Sequence, residues 1–209
     1  MDTLNHSKKE ISYLALGDSY TIGEGVSESE RWPVQLTYAL RQKGYTLNEP
    51  TIIAQTGWTT SELLAAIARS EPLGSFTLIS LLIGVNNQYR GESLEKYCSE
   101  FEDLLQKAIR FAENKPHRVL VLSIPDWGVT PFARDRDRAE IHREIDRFNS
   151  CNRQVADKVG TAYIDITDIS RRAAQEPELL AKDALHPSGK MYLLWVERIL
   201  TMAKDTLRI

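Results

Sequence analysis

Short apolar runs alternate with longer amphipathic ones along this chain, and that alternation restricts its fold more than any other feature. The runs 11–16, 51–54, 76–83, 119–124 and 162–166 are too short for helices and show little polar alternation. Runs of this kind suit strands buried on both faces. The stretches between and after them carry apolar residues at helical spacing. In 93–114 these are Leu94, Tyr97, Phe101, Leu104, Leu105, Ile109 and Phe111, and in 135–159 they are Ile141, Ile145, Phe148 and Val155. Helices are also predicted over 32–43, with Pro33 in the first turn and Gly44 as terminator, over 63–69 and over 191–207. Thr59 stands three residues before Glu62, a capping-box spacing at the start of the 63–69 helix. Five strands separated by helices imply an α/β fold, a three-layer α/β/α sandwich around a five-stranded parallel sheet. Residues 1–10 read as a polar N-terminal tail, and 11–209 as one domain without repeats or a low-complexity linker.

Ligands of such open sheets bind beyond the carboxyl ends of the strands. The segments 17–25, 55–60, 84–91, 125–133 and 176–189 should therefore carry the chemistry. Ser19 lies in Gly17-Asp18-Ser19-Tyr20, directly after the first strand. A serine there is a candidate nucleophile if an imidazole can take its proton. Asp183 and His186 are three residues apart, close enough in a tight turn for the carboxylate to reach Nδ1 and fix the tautomer. Asn86, in Gly84-Val85-Asn86-Asn87, can offer a side-chain N–H to a developing oxyanion, and Gly57 a backbone N–H from a similar place. Each motif has a plainer structural reading: a helix cap at Asp18 or Ser19, a surface carboxylate beside a histidine, ordinary turns at Gly57 and Gly84.

Taken in order along the chain, these residues resemble the SGNH hydrolases, the GDSL-like esterase and lipase family. The resemblance runs from Gly17 to Pro187. It implies a flavodoxin-like α/β/α sandwich, Ser19 as nucleophile, His186 as general base and Asp183 as its orienting partner. The oxyanion hole would comprise the N–H groups of Ser19 and Gly57 and the side-chain amide of Asn86. Two positions depart from the family pattern: Tyr20 stands where the first block usually has leucine, and Asn87 where the third usually has aspartate. The Gly-x-Ser-x-Gly elbow of α/β-hydrolases is missing, because Thr21 occupies the second glycine position.

The expected activity is a serine esterase acting on small or short-chain carboxylic esters through an acyl-Ser19 intermediate, with no metal or organic cofactor. The same residues would also serve an acetylated carbohydrate, a lysophospholipid or a thioester. A reading of another class is a non-catalytic flavodoxin-like binding module, which leaves Asp183, His186 and Asn86 without a purpose. No long insertion reads as a lid, which favours small acyl groups. Trp58, Trp127, Tyr20 and Tyr89 are candidate walls of the substrate pocket, with edge packing of the core as the alternative. His6, His117 and His142 are expected to be solvated or locally hydrogen-bonded.

A formal net charge of −3 and the mixed-sign run Arg134–Arg138 offer no basic face for nucleic acid. The run reads as a solvated loop or helix start. The N-terminal residues lack a secretion-signal pattern, and no apolar stretch is long enough for a membrane span. Cys98 and Cys151 sit far apart in charged helical patterns, so two separate reduced thiols and a cytoplasmic location are expected. Oligomeric state is not legible.

Overall fold

The computed structural model describes residues 10–70 and 73–207. Most of the predicted tail, with His6, lies outside the described residues. Five parallel strands form one sheet in the order β2-β1-β3-β4-β5: β1 (Tyr13–Gly17), β2 (Thr51–Ala54), β3 (Leu78–Leu82), β4 (Val119–Leu122) and β5 (Ala162–Ile164). Strands β1, β3 and β4 are wholly buried, as their unbroken apolar runs require, whereas β2 is a more exposed edge.

The helices are α1 (Ser19–Ile22), α2 (Trp32–Gln42), α3 (Thr60–Ser70), α4 (Val85–Tyr89), α5 (Leu94–Phe111), α6 (Arg138–Val159), α7 (Thr167–Arg171) and α8 (Gly189–Leu207). One layer is α2 packed on α8, and the other is α3 on α5 and α5 on α6. Trp32 and Trp195 are fully buried beneath the first pair, and Tyr97 and Phe101 of α5 beneath the second. This is the three-layer sandwich expected from the pattern. No helix among the described residues is long and apolar enough to cross a membrane.

Element ends differ from expectation where side chains cap the backbone. Helix α6 starts at Arg138 rather than 135, because the Asp137 side chain accepts the Glu140 N–H. Helix α5 ends at Phe111, and Glu113 and Asn114 take positive φ just beyond it. The short helices α1, α4 and α7 were not legible, since four or five residues hold too little periodicity to signal a helix.

The cysteines overturn the expectation of separate thiols. Cys98 of α5 and Cys151 of α6 are joined as a disulfide, with Cα atoms 6.1 Å apart. They sit on the packed sides of neighbouring helices, a proximity that spacing along the chain does not reveal. Cysteine usage therefore no longer argues for a reducing compartment.

Parallel pairing sets the exits of the central strands level. Gly17 lies opposite Ala54 of β2 and Leu82 of β3. The chain leaves β1 into α1, capped by Asp18, whose Oδ1 accepts the Tyr20 N–H at 3.0 Å. Its Oδ2 is buried without a hydrogen-bond partner, and burial raises the Asp18 carboxyl to about 7.

The exit of β3 leads through Gly84 into α4, where Asn87 braces the start of α3. Its Oδ1 accepts the Thr60 N–H at 3.1 Å, and its Nδ2 donates to Thr60 Oγ1 at 2.7 Å and to the Glu92 carboxylate at 3.0 Å. A donor facing Glu92 is something an aspartate could not supply.

Two outcomes are expected. Asn87→Asp sets a carboxylate against Glu92 and removes the donor, which should destabilise the fold by about 1–3 kcal/mol in urea unfolding at neutral pH. A variant as stable as the parent would show that this brace contributes nothing. For Asp18, the folded state holds a proton that the unfolded chain releases near 3.8. Stability from this group therefore falls as pH rises between that value and about 7. Asp18→Asn keeps the capping oxygen and cannot ionise, so its stability advantage over the parent should grow across that window. A constant difference between acid and neutral pH contradicts this.

Candidate active site

Ser19 is the first residue of α1, and only 4% of its surface is exposed. It faces a cleft of roughly 550 Å³, open to solvent, whose lining also includes Gly57, Asn86 and His186. Four residues singled out from distant parts of the sequence thus share one concavity. It lies where the strand order reverses on either side of β1, the usual binding crevice of a doubly wound sheet.

His186 reaches the cleft on a tight turn. Asp183 Oδ1 accepts the N–H groups of Leu185 and His186, each at 3.0 Å, and Asp183 Oδ2 lies 2.6 Å from His186 Nδ1. One carboxylate therefore folds the turn and orients the ring. The Ala181 N–H donates to the His186 carbonyl at 2.7 Å and closes the turn from the other side. Gly25 approaches it from the loop after α1; a Cβ there would lie 2.9 Å from the Ala181 Cβ and 3.3 Å from Asp183 Oδ2. Partial burial works to raise the Asp183 carboxyl. The bonds from His186 and from the His186 and Leu185 N–H groups outweigh that and hold it below its ordinary value. Behind the imidazole stands the buried ring of Tyr20, 5.4 Å away between centroids. Burial, then the negative charges of Asp18, Asp183 and Asp126, push its phenol well above the ordinary value, so Tyr20 is a neutral wall.

Gly57 follows β2 with φ of +86°, a conformation that suits a residue without a Cβ. Its N–H donates to no group among the described residues. Asn86 Nδ2 donates to the Trp58 carbonyl at 2.9 Å, which orients the amide and leaves its second N–H for the cleft. The Ser19 N–H, at the first turn of α1, has no intrahelical acceptor.

Three of the four candidate wall residues, Tyr20, Tyr89 and Trp127, line the cleft, but Trp58 does not. Trp58 packs its ring against the core and lends the site only its carbonyl. Phe132, Leu185, Val85 and Thr56 complete the lining. Trp127, Tyr89 and Phe132 form a cluster with centroids 5.4 to 6.2 Å apart. Trp127 is locked by Nε1 donating to Gln88 Oε1 at 2.7 Å, and Gln88 in turn donates to Glu144 at 2.7 Å. Of the other histidines, His117 is exposed. His142 contacts Asp126, whose buried carboxylate also accepts Arg171 Nε at 2.8 Å. That cluster was not foreseen, because Asp126, His142 and Arg171 come from three separate elements.

Solved structures share this architecture. TesA superimposes with a TM-score of 0.74 at 19% identity, over 93% of this chain and 99% of its own. The psychrotrophic esterase EstA from Pseudoalteromonas sp., in a structure inhibited by monoethylphosphonate, gives 0.68 at 19% identity over 95% and 99%. Axe2, an acetylxylan esterase from Geobacillus stearothermophilus, gives 0.69 at 15% identity over 95% and 94%. At such identities the likeness is one of fold. Among curated proteins none matches this sequence. The sequence model of the GDSL-like Lipase/Acylhydrolase family matches residues 15–194, a span that takes in Ser19, Gly57, Asn86, Asp183 and His186. The chain belongs to that family.

Proposed function

We propose that this protein is a serine esterase that hydrolyses small or short-chain carboxylic esters. The observation that carries the reading is the Asp183–His186 pair, 2.6 Å apart, with its imidazole in the cleft that Ser19, Gly57 and Asn86 share.

In this reaction Ser19 Oγ attacks the ester carbonyl carbon and its proton passes to His186 Nε2. Asp183, on Nδ1, stabilises the imidazolium. The tetrahedral oxyanion takes hydrogen bonds from the N–H groups of Ser19 and Gly57 and from Asn86 Nδ2. As the carbonyl re-forms, the bond to the leaving oxygen breaks and His186 returns the proton to it, releasing the alcohol. Water then attacks acyl-Ser19 with His186 again taking a proton, and the carboxylic acid departs as Ser19 regains its hydrogen.

The preference for small acyl groups rests on the fixed wall. Trp127 is held through Gln88 to Glu144 and lines the cleft beside Tyr89 and Phe132, a fixed aromatic wall against which a short acyl group would pack. Family membership and the esterases among the structural neighbours support an ester-hydrolysing enzyme.

Ser19→Ala should lower kcat with an aryl acetate on the order of 10⁴-fold or more. A fluorophosphonate should label the parent at Ser19, as peptide mass mapping would reveal. Full activity in the variant, or labelling at another residue, excludes Ser19 as nucleophile. Trp127→Ala should move the optimum of an aryl ester chain-length series toward longer acyl groups. If the optimum stays where it is, Trp127 is not the stop.

A further inference from the structure

Helix α4 and the residue after it hold the loop that follows β2 almost residue by residue. Asn86 donates to the carbonyl of Trp58, and Asn87 accepts the N–H of Thr60. Arg90 Nη2 donates to the carbonyl of Gly57 at 2.6 Å. Arg90 Nη1 is steadied by Glu62 Oε2 at 3.2 Å, and the same oxygen accepts the Thr59 N–H at 2.7 Å and the Thr59 hydroxyl at 3.0 Å. The Gly57 carbonyl, Arg90, Glu62 and Thr59 thus form a closed bracket around the loop.

Sterics alone do not fix Gly57. A glycine at φ of +86° has no side chain to confine it, and the turn bond across it, from the Trp58 N–H to the Gln55 carbonyl, is long at 3.3 Å. A charge-assisted bond to its carbonyl restrains the Gly57–Trp58 peptide plane, and the Gly57 N–H, one plane earlier, follows through the φ and ψ of Gly57. Gly57 lines the same cleft as Ser19, and its N–H has no acceptor among the described residues. The Arg90–Glu62 pair is about half exposed, with side-chain exposures of 45% and 44%, so it contributes little to global stability.

We infer that Arg90 is a positioning residue for catalysis: through the Gly57 carbonyl it aims the Gly57 N–H at the oxyanion. This rests on the serine esterase reading above. Arg90 touches neither substrate nor reacting atoms and acts through the backbone of Gly57.

Steady-state kinetics on the parent, Arg90→Ala and Arg90→Lys test this, with hydrogen exchange across 55–60 as a readout that needs no substrate. Arg90→Ala should lower kcat by about 10- to 100-fold, the scale of a small misplacement of a catalytic group, with KM within about twofold. Arg90→Lys should recover part of the loss, since one ammonium cannot span both Gly57 and Glu62 as the guanidinium does. Added guanidinium should restore activity to Arg90→Ala and leave the parent unchanged. The Trp58 and Thr59 amides, which donate to the Gln55 carbonyl and the Glu62 carboxylate, should exchange faster in Arg90→Ala. A kcat within about twofold of the parent overturns the inference. So does a loss that tracks a lowered Tm without guanidinium rescue, or unchanged exchange at Trp58 and Thr59. Failure of the esterase reading looks different: the parent itself would lack turnover and phosphonate labelling at Ser19. In that case faster exchange at Trp58 and Thr59 would uphold the bracket, and unchanged exchange would reject it.

Discussion

Parallel pairing of β1 between β2 and β3 is the constraint on which the site depends. Gly17, Ala54 and Leu82 lie level, so the chain leaves three adjacent strands at the same height. Ser19, Gly57 and Asn86 then need only two to four residues of loop or short helix to converge. A slip of one residue in β1 would turn its buried side chains to the opposite faces of the sheet and misalign the exit. Full burial of β1 makes such a slip costly. The core thus sets the geometry of the cleft through strand register.

Two aspartates in the candidate motifs are driven in opposite directions by their surroundings. Asp18 is sealed beneath α1 with one oxygen unpartnered, and burial raises its carboxyl. Asp183 is partly exposed and accepts three hydrogen bonds, which hold its carboxyl low. A carboxylate that stays ionised is the one able to stabilise an imidazolium. Asp18 is better suited to its structural task, capping α1 so that Ser19 sits in the first turn.

Polar groups bracket the site from behind. Asn87 ties α4 to the start of α3, Arg90 and Asn86 tie it to the preceding loop, and Gln88 ties it to Trp127. Four of the residues 86–90 thereby hold the Asn86 amide, the loop carrying Gly57 and one wall of the cleft in place. At this position Asn87 turns a donor toward the Glu92 carboxylate, a contact that an ionised aspartate could not make.

Much of this was legible from residue order. The five apolar runs announced the parallel sheet because strands buried on both faces must be apolar throughout. Ser19, Asn86, Asp183 and His186 stood out through their joint order, each at the end of an element, since each alone has a plain cap, turn or surface reading. Asp183 and His186 could be paired from spacing, since three residues in a turn bring carboxylate to imidazole. Contacts between separate elements were not available in this way. Cys98 and Cys151 meet because α5 packs on α6, and Asp126, His142 and Arg171 meet because three elements converge. Trp58 turns its ring to the core and its carbonyl to Asn86, a choice made by packing around it. Local pattern and short-range chemistry specify strands, helices and the turn at His186. Which side chains face one another across the cleft follows from long-range packing, whose partners lie tens of residues apart and leave no trace in local spacing.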